Sequence, residues 1–365
     1  MKVYMYIAHL GAGGSERACV TLANELIRQR NEVHIITLNL KKNAYGHILS
    51  EQCILHSLNV QRIRYSLFPL LKLLRKEKPE SLIVFSHELL VWINYLKRFR
   101  LINTRIIYRH QNNLSMAYDE KTDVSPIVQK VLKANCNIVK RADVVLTQCM
   151  EMKKQVVEKL GVKPEKVVNI YNPVSDYVVN KAIALRKDRK KGHHIVAIGR
   201  LETQKNMEHM LRAFASLVKE KDMPEATLEI VGEGYEREKL TGLAKELMIS
   251  EHISMDGVRQ DIENVYAGAD IVALSSTYEG MPNVLIEAIS IGIPAISYDC
   301  PSGPAEIIVD GVNGYLAEYM NIDALADAMK RGLTHAWKEE AIRNSARKFS
   351  VKEAVDKYIK VLGNE

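Results

Sequence analysis

Ile271-Val272-Ala273-Leu274-Ser275-Ser276-Thr277-Tyr278-Glu279-Gly280-Met281-Pro282-Asn283-Val284-Leu285-Ile286-Glu287 reads as one complete βα unit. The apolar run Ile271–Leu274 fits a strand buried on both faces, as in a parallel sheet. A short loop follows, and Pro282 is placed as the first residue of a helix, where its missing N–H costs nothing. Such a helix aims its positive end and its N–H groups at the region beyond the strand's C-terminal end, where open α/β sheets bind anions. Glu279 stands before the helix and Glu287 in its second turn. Carboxylates only accept hydrogen bonds, so they suit hydroxyls rather than phosphate. Taken alone, the pair fits equally well one carboxylate near the helix dipole and one facing solvent.

The same alternation extends in both directions. Downstream of residue 190, strands are expected at His194–Ile198, Thr227–Val231, Ile253–Met255, Ile271–Leu274, Pro294–Ser297 and Gly314–Ala317. Upstream they are expected at Val3–Ala8, Val33–Leu38, Ser81–Ser86, Arg105–Arg109 and Val144–Thr147, with a helix after the first carrying Cys19, Leu22, Ala23, Leu26 and Ile27 at helical spacing. Short β-branched runs separated by amphipathic stretches indicate βαβ units and parallel sheets. The 365 residues are too many for one core and suit two domains. Tyr171-Asn172-Pro173 ends the first block, and the polar run Lys181–His194 reads as the linker. The expected division is 1–172, 173–350 and a C-terminal helix, 351–365, free to return to the first domain.

Two further loops carry candidate chemistry. Gly11-Ala12-Gly13-Gly14-Ser15-Glu16-Arg17 lies between the first strand and the first helix, where glycines let backbone N–H groups approach a phosphate. It is not a dinucleotide fingerprint: Glu16 replaces the third glycine, and no acidic residue follows the second strand. A tight turn with no ligand fits it as well. Gly199-Arg200-Leu201-Glu202-Thr203-Gln204-Lys205-Asn206 follows the first strand of the second domain. Two cations five apart at a strand's C-terminal end can converge on one anion, although a solvated loop is an equally ordinary reading.

These motifs together resemble the family 4 retaining glycosyltransferases. The second half carries the resemblance through GRLETQKN (199–206), LEIVGEG (228–234), the segment 256–270, the Glu-x7-Glu spacing of Glu279 and Glu287, GIPAI (292–296) and the run 305–316. The first half agrees through GAGGSER, RIIYRH ending at His110, and ADVVLT (142–147). Pro301-Ser302-Gly303-Pro304 departs from the double glycine common in the family before the glutamate matched by Glu306. The resemblance implies an α/β protein with two doubly wound Rossmann-like domains facing across a cleft, the GT-B plan. The first domain would bind the acceptor and the second the nucleotide-sugar donor.

The resemblance also implies roles. Arg200 and Lys205 would bind the donor pyrophosphate, and Glu287 the ribose hydroxyls. Glu279 would hold a hydroxyl of the transferred sugar, with backbone N–H groups of Gly280, Met281, Pro282 and Asn283 nearby; proline has no N–H, so its share is positional. Gly13 and Gly14 would close over the phosphates, and His110 would sit near the anomeric carbon. His87 and Glu88 end another strand and are candidates to line the acceptor side. A front-side transfer with retention is implied, in which the departing phosphate helps to deprotonate the acceptor. No metal is expected, since no Asp-x-Asp is present, and no cofactor, since the nucleotide-sugar (UDP-linked on this reading) is a substrate. The alternatives are a nucleotide-sugar epimerase of similar fold and a binding subunit without turnover.

Composition bounds the setting. With 47% apolar and 26% charged residues, disordered and fibrous classes are excluded. The start, MKVYMYIAHLGAGG, reads as a buried strand rather than a signal peptide, and no apolar run approaches a membrane span. Cys19, Cys53, Cys136, Cys149 and Cys300 are scattered without CxxC, as expected of reduced thiols in a cytoplasmic protein with no zinc site. Residues 1–172 hold 27 Lys+Arg against 14 Asp+Glu, while residues 173–365 hold 24 against 30. A basic first half suits an anionic surface. No nucleic-acid module is present, so the expected surface is a membrane; the resemblance places it at the inner face of a bacterial membrane, with a glycan or lipid-linked acceptor in surface polysaccharide assembly. Lys72, Arg75, Lys76, Lys97, Arg98 and Arg100, beside apolar neighbours, are the candidate contacts, although each segment also fits a core-packing helix with a solvated basic face.

Overall fold

The computed structural model describes the chain except residues 12, 42–45, 111–136, 188, 190–191, 220–222 and 364–365. The chain forms two compact units, Met1–Pro173 with Ser350–Glu365, and Val174–Phe349. Each is a wholly parallel sheet flanked by helices, as the alternating pattern requires.

The first sheet contains β1 (Lys2–Tyr6), β2 (Glu32–Thr37), β3 (Ile54–Ser57), β4 (Ser81–Val84), β5 (Arg105–Arg109), β6 (Val144–Thr147) and β7 (Val167–Asn169), in the order β3-β2-β1-β4-β5-β6-β7. The central strands are buried on both faces, which is why they appear as unbroken apolar runs. The edge strands β3 and β7 were not among the expected elements. They span only four and three residues, too short for a clear pattern, and Ile54 and Leu55 of β3 lie exposed at the sheet edge.

Helix Gly14–Arg28 buries Cys19, Leu22, Ala23, Leu26 and Ile27 against this sheet, and helix Val351–Gly363 adds Val351, Ala354, Val355, Tyr358 and Val361 to the same core. At about 1.5–3 kcal/mol for each fully buried large apolar side chain, the returning helix is an integral part of the first unit. The Arg105 guanidinium donates to the Val361 carbonyl and ties the end of that helix to β5.

The second sheet contains β8 (His194–Ile198), β9 (Thr227–Val231), β10 (Ile253–Gly257), β11 (Ile271–Leu274), β12 (Ala295–Tyr298) and β13 (Gly314–Ala317), in the order β10-β9-β8-β11-β12-β13. The order reverses between β8 and β11, which makes a topological switch point beyond their C-terminal ends. Gly232, just after β9, is required there. Its φ is +149°, and a Cβ would lie 1.8 Å from the Gly199 carbonyl oxygen of the β8 loop.

The run Lys181–His194 is not simply a linker. Its first part belongs to helix Asp176–Arg186, inside the second unit. Three of its basic residues make tertiary contacts that a one-dimensional reading cannot show. Lys181 pairs with Glu263, Arg186 donates to the Tyr266 and Ala269 carbonyls, and Arg189 makes a two-pronged pair with Asp270.

Candidate active site

The loops after β8 and β11 meet at the switch point. Lys205 Nζ lies 2.5 Å from Glu279 Oε1, and Ser276 Oγ donates to the same oxygen at 2.6 Å. The two charged side chains are 15% and 8% exposed. Removing two ions from water is costly unless they are paired and further hydrogen-bonded. Here Lys205, Glu279 and Ser276 satisfy one another, and Glu279 Oε2 makes no hydrogen bond among the described residues.

The backbone beneath the pair is fixed from both sides. Ser275 Oγ donates to the Lys205 and Asn206 carbonyls at 3.0 Å each. Thr277 N donates to the Gln204 carbonyl at 2.9 Å, and Gln204 Nε2 returns a bond to the Tyr278 carbonyl. On the β12 side, Glu279 N donates to the Pro301 carbonyl at 2.8 Å. Gly303, at φ +96°, lets that loop press against Pro282, where a Cβ would lie 2.8 Å from the proline Cδ. The segment Pro301–Pro304, where the sequence departs from the family pattern, is therefore the support on which Glu279 and Pro282 rest.

Helix Asn283–Ile291 follows, and Pro282 is its N-cap rather than its first residue. The helix begins one position later because Pro282 has ψ of 99°, outside the helical range, while its carbonyl accepts the first helical bond from Leu285 N. Gly280, Met281 and Pro282 are buried and Asn283 is half-buried. Glu287 is buried, not solvent-facing, and the Tyr266 hydroxyl donates to its carboxylate. A carboxylate only accepts hydrogen bonds, which suits it to hydroxyl groups.

Arg200 is placed differently. Its guanidinium pairs with Glu202 at 2.7 Å and is 61% exposed, so it does not share the Lys205 cluster in this structure. The two cations have separate partners here, Arg200 with Glu202 and Lys205 with Glu279.

In the first unit, Gly13 caps helix Gly14–Arg28, at the C-terminal end of β1. Glu16 reaches back, with an oxygen 3.3 Å from His9 Nδ1. His110 directly follows β5 and is buried, its backbone N–H bonded to the Leu146 carbonyl at 2.8 Å. Burial, reinforced by nearby His87, pushes its pKa down to about 3, so the ring is neutral at ordinary pH. Its Nδ1 finds no hydrogen-bond partner among the described residues. His87 opens helix His87–Arg98, and Glu88 lies in its first turn.

Sequence reasoning passed over two groups. Ser276 and Ser302 are fully buried against Glu279, and the hint for the first, a hydroxyl three residues before a carboxylate, is too common to single out. Arg109, the last residue of β5, was passed over as well: it is buried, donates to Asn172 and Ser15, and stacks on Phe85.

The basic segments of the first unit form helices Leu67–Glu77 and His87–Arg98. Their inner faces are core, with Leu70, Leu74, Leu89, Leu90 and Ile93 buried. Phe68 and Phe99 remain 79% and 64% exposed. Lys97 is engaged by Asp143. Among the described residues, no helix is long and apolar enough to cross a membrane, and no group of three His, Cys, Asp or Glu is placed to hold a metal ion.

Comparison with known proteins matches each half of the chain to a family model. Residues 12–176 match Glycosyltransferase Family 4, and residues 181–349 match Glycosyl transferases group 1. The chain is 26% identical to a Campylobacter jejuni N-acetylgalactosamine-N,N'-diacetylbacillosaminyl-diphospho-undecaprenol 4-alpha-N-acetylgalactosaminyltransferase, over 95% of this chain and 94% of that one. It is 27% identical to the amylovoran biosynthesis glycosyltransferase AmsD of Erwinia amylovora, over 85% and 83%. Among solved structures, Anabaena HepE in complex with UDP and glucose superposes with a TM-score of 0.79 at 19% identity, covering 100% of both chains. The lipopolysaccharide outer core galactosyltransferase WaaB in its apo form superposes at 0.74 with 21% identity, over 100% and 99%. Two parallel Rossmann-like sheets of this kind are the GT-B fold, and with a matching model over each half the chain belongs to the family 4 glycosyltransferases.

Proposed function

We propose that this glycosyltransferase moves a sugar from a UDP-sugar to a glycan or lipid-linked acceptor, with retention of configuration and without a metal ion, during bacterial surface polysaccharide assembly. The observation that carries the reading is the Lys205–Glu279 pair at the β8/β11 switch point, with buried Glu287 one helix further on. Lys205 supplies positive charge for a diphosphate, and helix Asn283–Ile291 begins four residues after its partner Glu279. Glu279 and Glu287 supply acceptors for sugar and ribose hydroxyls. Arg200, exposed on the same loop, is proposed to swing from Glu202 to the diphosphate when the donor is bound.

In the proposed transfer, the bond from the anomeric carbon to the phosphate oxygen breaks. The acceptor oxygen bonds to that carbon from the same face, and the acceptor proton passes to the departing phosphate oxygen. Lys205 and the helix start stabilise the negative charge that develops on the leaving diphosphate. His110, being neutral, is proposed to hydrogen-bond a hydroxyl of the transferred sugar, and Gly13 and Gly14 to meet the donor phosphates. The alpha linkage and the undecaprenol-linked acceptor in the name of the Campylobacter relative support the stereochemistry and the acceptor class. UDP in the Anabaena complex supports the nucleotide. The exposed basic residues and aromatics of the first unit support peripheral contact with an anionic membrane, and hence a place at the inner membrane face.

The test is a panel of nucleotide-sugars with lipid-linked and oligosaccharide acceptors, read by mass detection of nucleoside diphosphate and by the anomeric configuration of the product. Inverted product, or an epimerised donor without transfer, would overturn the reading.

A further inference from the structure

Glu279 is held by two buried serines, one at each end. Ser276 Oγ donates to its carboxylate at 2.6 Å, and Ser302 donates to its carbonyl through Oγ at 3.2 Å. Both serines are fully buried, so neither is available to a ligand in this structure. Their hydroxyls serve Glu279 and nothing else among the described side chains.

The two restraints on the carboxylate behave differently when a donor arrives. Lys205 and Ser276 share Oε1, but a diphosphate attracts the lysine. Once Lys205 turns to the phosphate, the glutamate side chain, with three rotatable bonds, would be free to reorient unless something else holds it. Ser276 is the group that remains. Its backbone cannot follow the lysine, because Ser275 is bonded to the Lys205 and Asn206 carbonyls and Thr277 to that of Gln204. With Oε1 occupied by Ser276, Oε2 is the oxygen presented to a sugar hydroxyl.

We propose that Ser276 is the positioning residue of Glu279, keeping its carboxylate aimed at the transferred sugar after the donor diphosphate has drawn Lys205 away. This rests on the assignment of Lys205 and Glu279 to the donor. It separates recognition of the sugar from recognition of the nucleotide. Ser276 acts only on Glu279, so its loss disturbs the sugar end and leaves the diphosphate end intact.

The test uses the full chain with Ser276→Ala. Titration calorimetry measures UDP binding, and kinetics measure kcat/KM for UDP-glucose, UDP-galactose and UDP-N-acetylglucosamine. UDP affinity should stay within about twofold, while kcat/KM for the preferred donor falls roughly 10–100-fold, the scale of one hydrogen bond to a charged group. Discrimination among the three sugars should shrink. If the alanine variant unfolds, Ser276→Cys, which keeps the volume with a weaker donor, should show the same split. A parallel loss of UDP affinity and kcat/KM, or wild-type kinetics in a variant that lacks the hydroxyl, overturns the proposal. A wild-type chain that binds no UDP overturns the site assignment itself, and this inference with it.

Discussion

Lys205 Nζ and Glu279 Oε1 stand 2.5 Å apart, so the cation proposed for the diphosphate is paired with the carboxylate proposed for the sugar. The site is neutralised from within, and a donor diphosphate must compete with Glu279 for Lys205. Removing the carboxylate charge while keeping its shape should therefore not weaken nucleoside diphosphate binding. For Glu279→Gln, UDP affinity in calorimetry should equal or exceed that of wild type, and turnover should fall by about 10²-fold or more as the sugar contact is lost. A variant that loses UDP affinity along with turnover would place the diphosphate on Glu279's own scaffold rather than on Lys205.

The two cations should separate in their effect on stability. Lys205→Ala leaves Glu279 buried without its counter-charge, and breaking such a pair costs about 3–5 kcal/mol when the remaining group stays ionised. Arg200 is exposed beside Glu202, so Arg200→Ala should leave the unfolding free energy from urea titration within about 0.5 kcal/mol of wild type. If both serve the leaving diphosphate, turnover falls in each variant, by about 10²-fold. An Arg200→Ala enzyme with normal kcat would reduce that arginine to an ordinary solvated charge of its loop.

Glu287 is buried and holds the Tyr266 hydroxyl. Glu287→Ala should weaken UDP binding by roughly 1–3 kcal/mol, the cost of leaving ribose hydroxyls poorly paired. Tyr266→Phe is the control, because it removes the internal donor but leaves the carboxylate in place. The expected order of UDP affinity is wild type, then Tyr266→Phe, then Glu287→Ala. Equal affinity in wild type and a folded Glu287→Ala variant removes Glu287 from the ribose.

His110 makes a prediction about pH. Its ordinary pKa of about 6.5 falls to about 3 in the fold, because burial disfavours the charged ring. Between those values the unfolded chain binds a proton that the folded chain refuses. Stability therefore rises with pH across this window, and His110's contribution is complete above pH 6.5. It is lost as the pH falls toward 3. Urea midpoints of wild type and His110→Asn, measured from pH 7 down to pH 4.5, should converge or cross, with the wild-type curve the steeper. Parallel curves would mean that His110 titrates normally in the fold.

The legibility of this fold in its sequence follows burial. The runs that became β8 and β11 are continuous because both faces of each strand are covered, and their limits were readable to the residue. The edges β3 and β7 were not, because they span only four and three residues, too few to set a period against their surroundings. The same logic separates the site residues. Lys205 and Glu279 lie on loops after adjacent strands at the switch point, so strand order alone brings them close. Arg200, on the same loop, turned to Glu202 because an exposed side chain is directed by local partners rather than by topology. Ser276 is invisible in the sequence because its role is set by one rotamer of one neighbour.

The membrane proposal can be narrowed by the structure. Of the six candidates, Lys72, Arg75, Lys76, Arg98 and Arg100 are exposed, while Lys97 is engaged by Asp143 and has the least charge to offer. Each basic residue near an anionic surface contributes about 1 kcal/mol, and the field dies within roughly 8 Å at physiological salt. Phe68 and Phe99, both largely exposed and flanked by these cations, are the side chains able to enter the interface. The two contributions differ in salt response, since apolar insertion does not depend on screening. Flotation of the full chain on vesicles rich in anionic lipid should be lost on charge reversal at the five exposed sites. Phe68→Ser with Phe99→Ser should instead lower flotation most at high salt, where the charges no longer hold. Lys97→Glu alone should change little in binding, although it will unsettle Asp143. The whole chain is needed, because a fragment ending at residue 172 lacks helix Val351–Gly363, whose Val355 and Tyr358 complete the core of the first unit. Undiminished flotation after five reversals, or none on anionic vesicles at low salt, would remove the membrane from the proposal and leave a soluble glycan as the acceptor. The transferase assignment would survive, because the Lys205–Glu279 site does not depend on either helix.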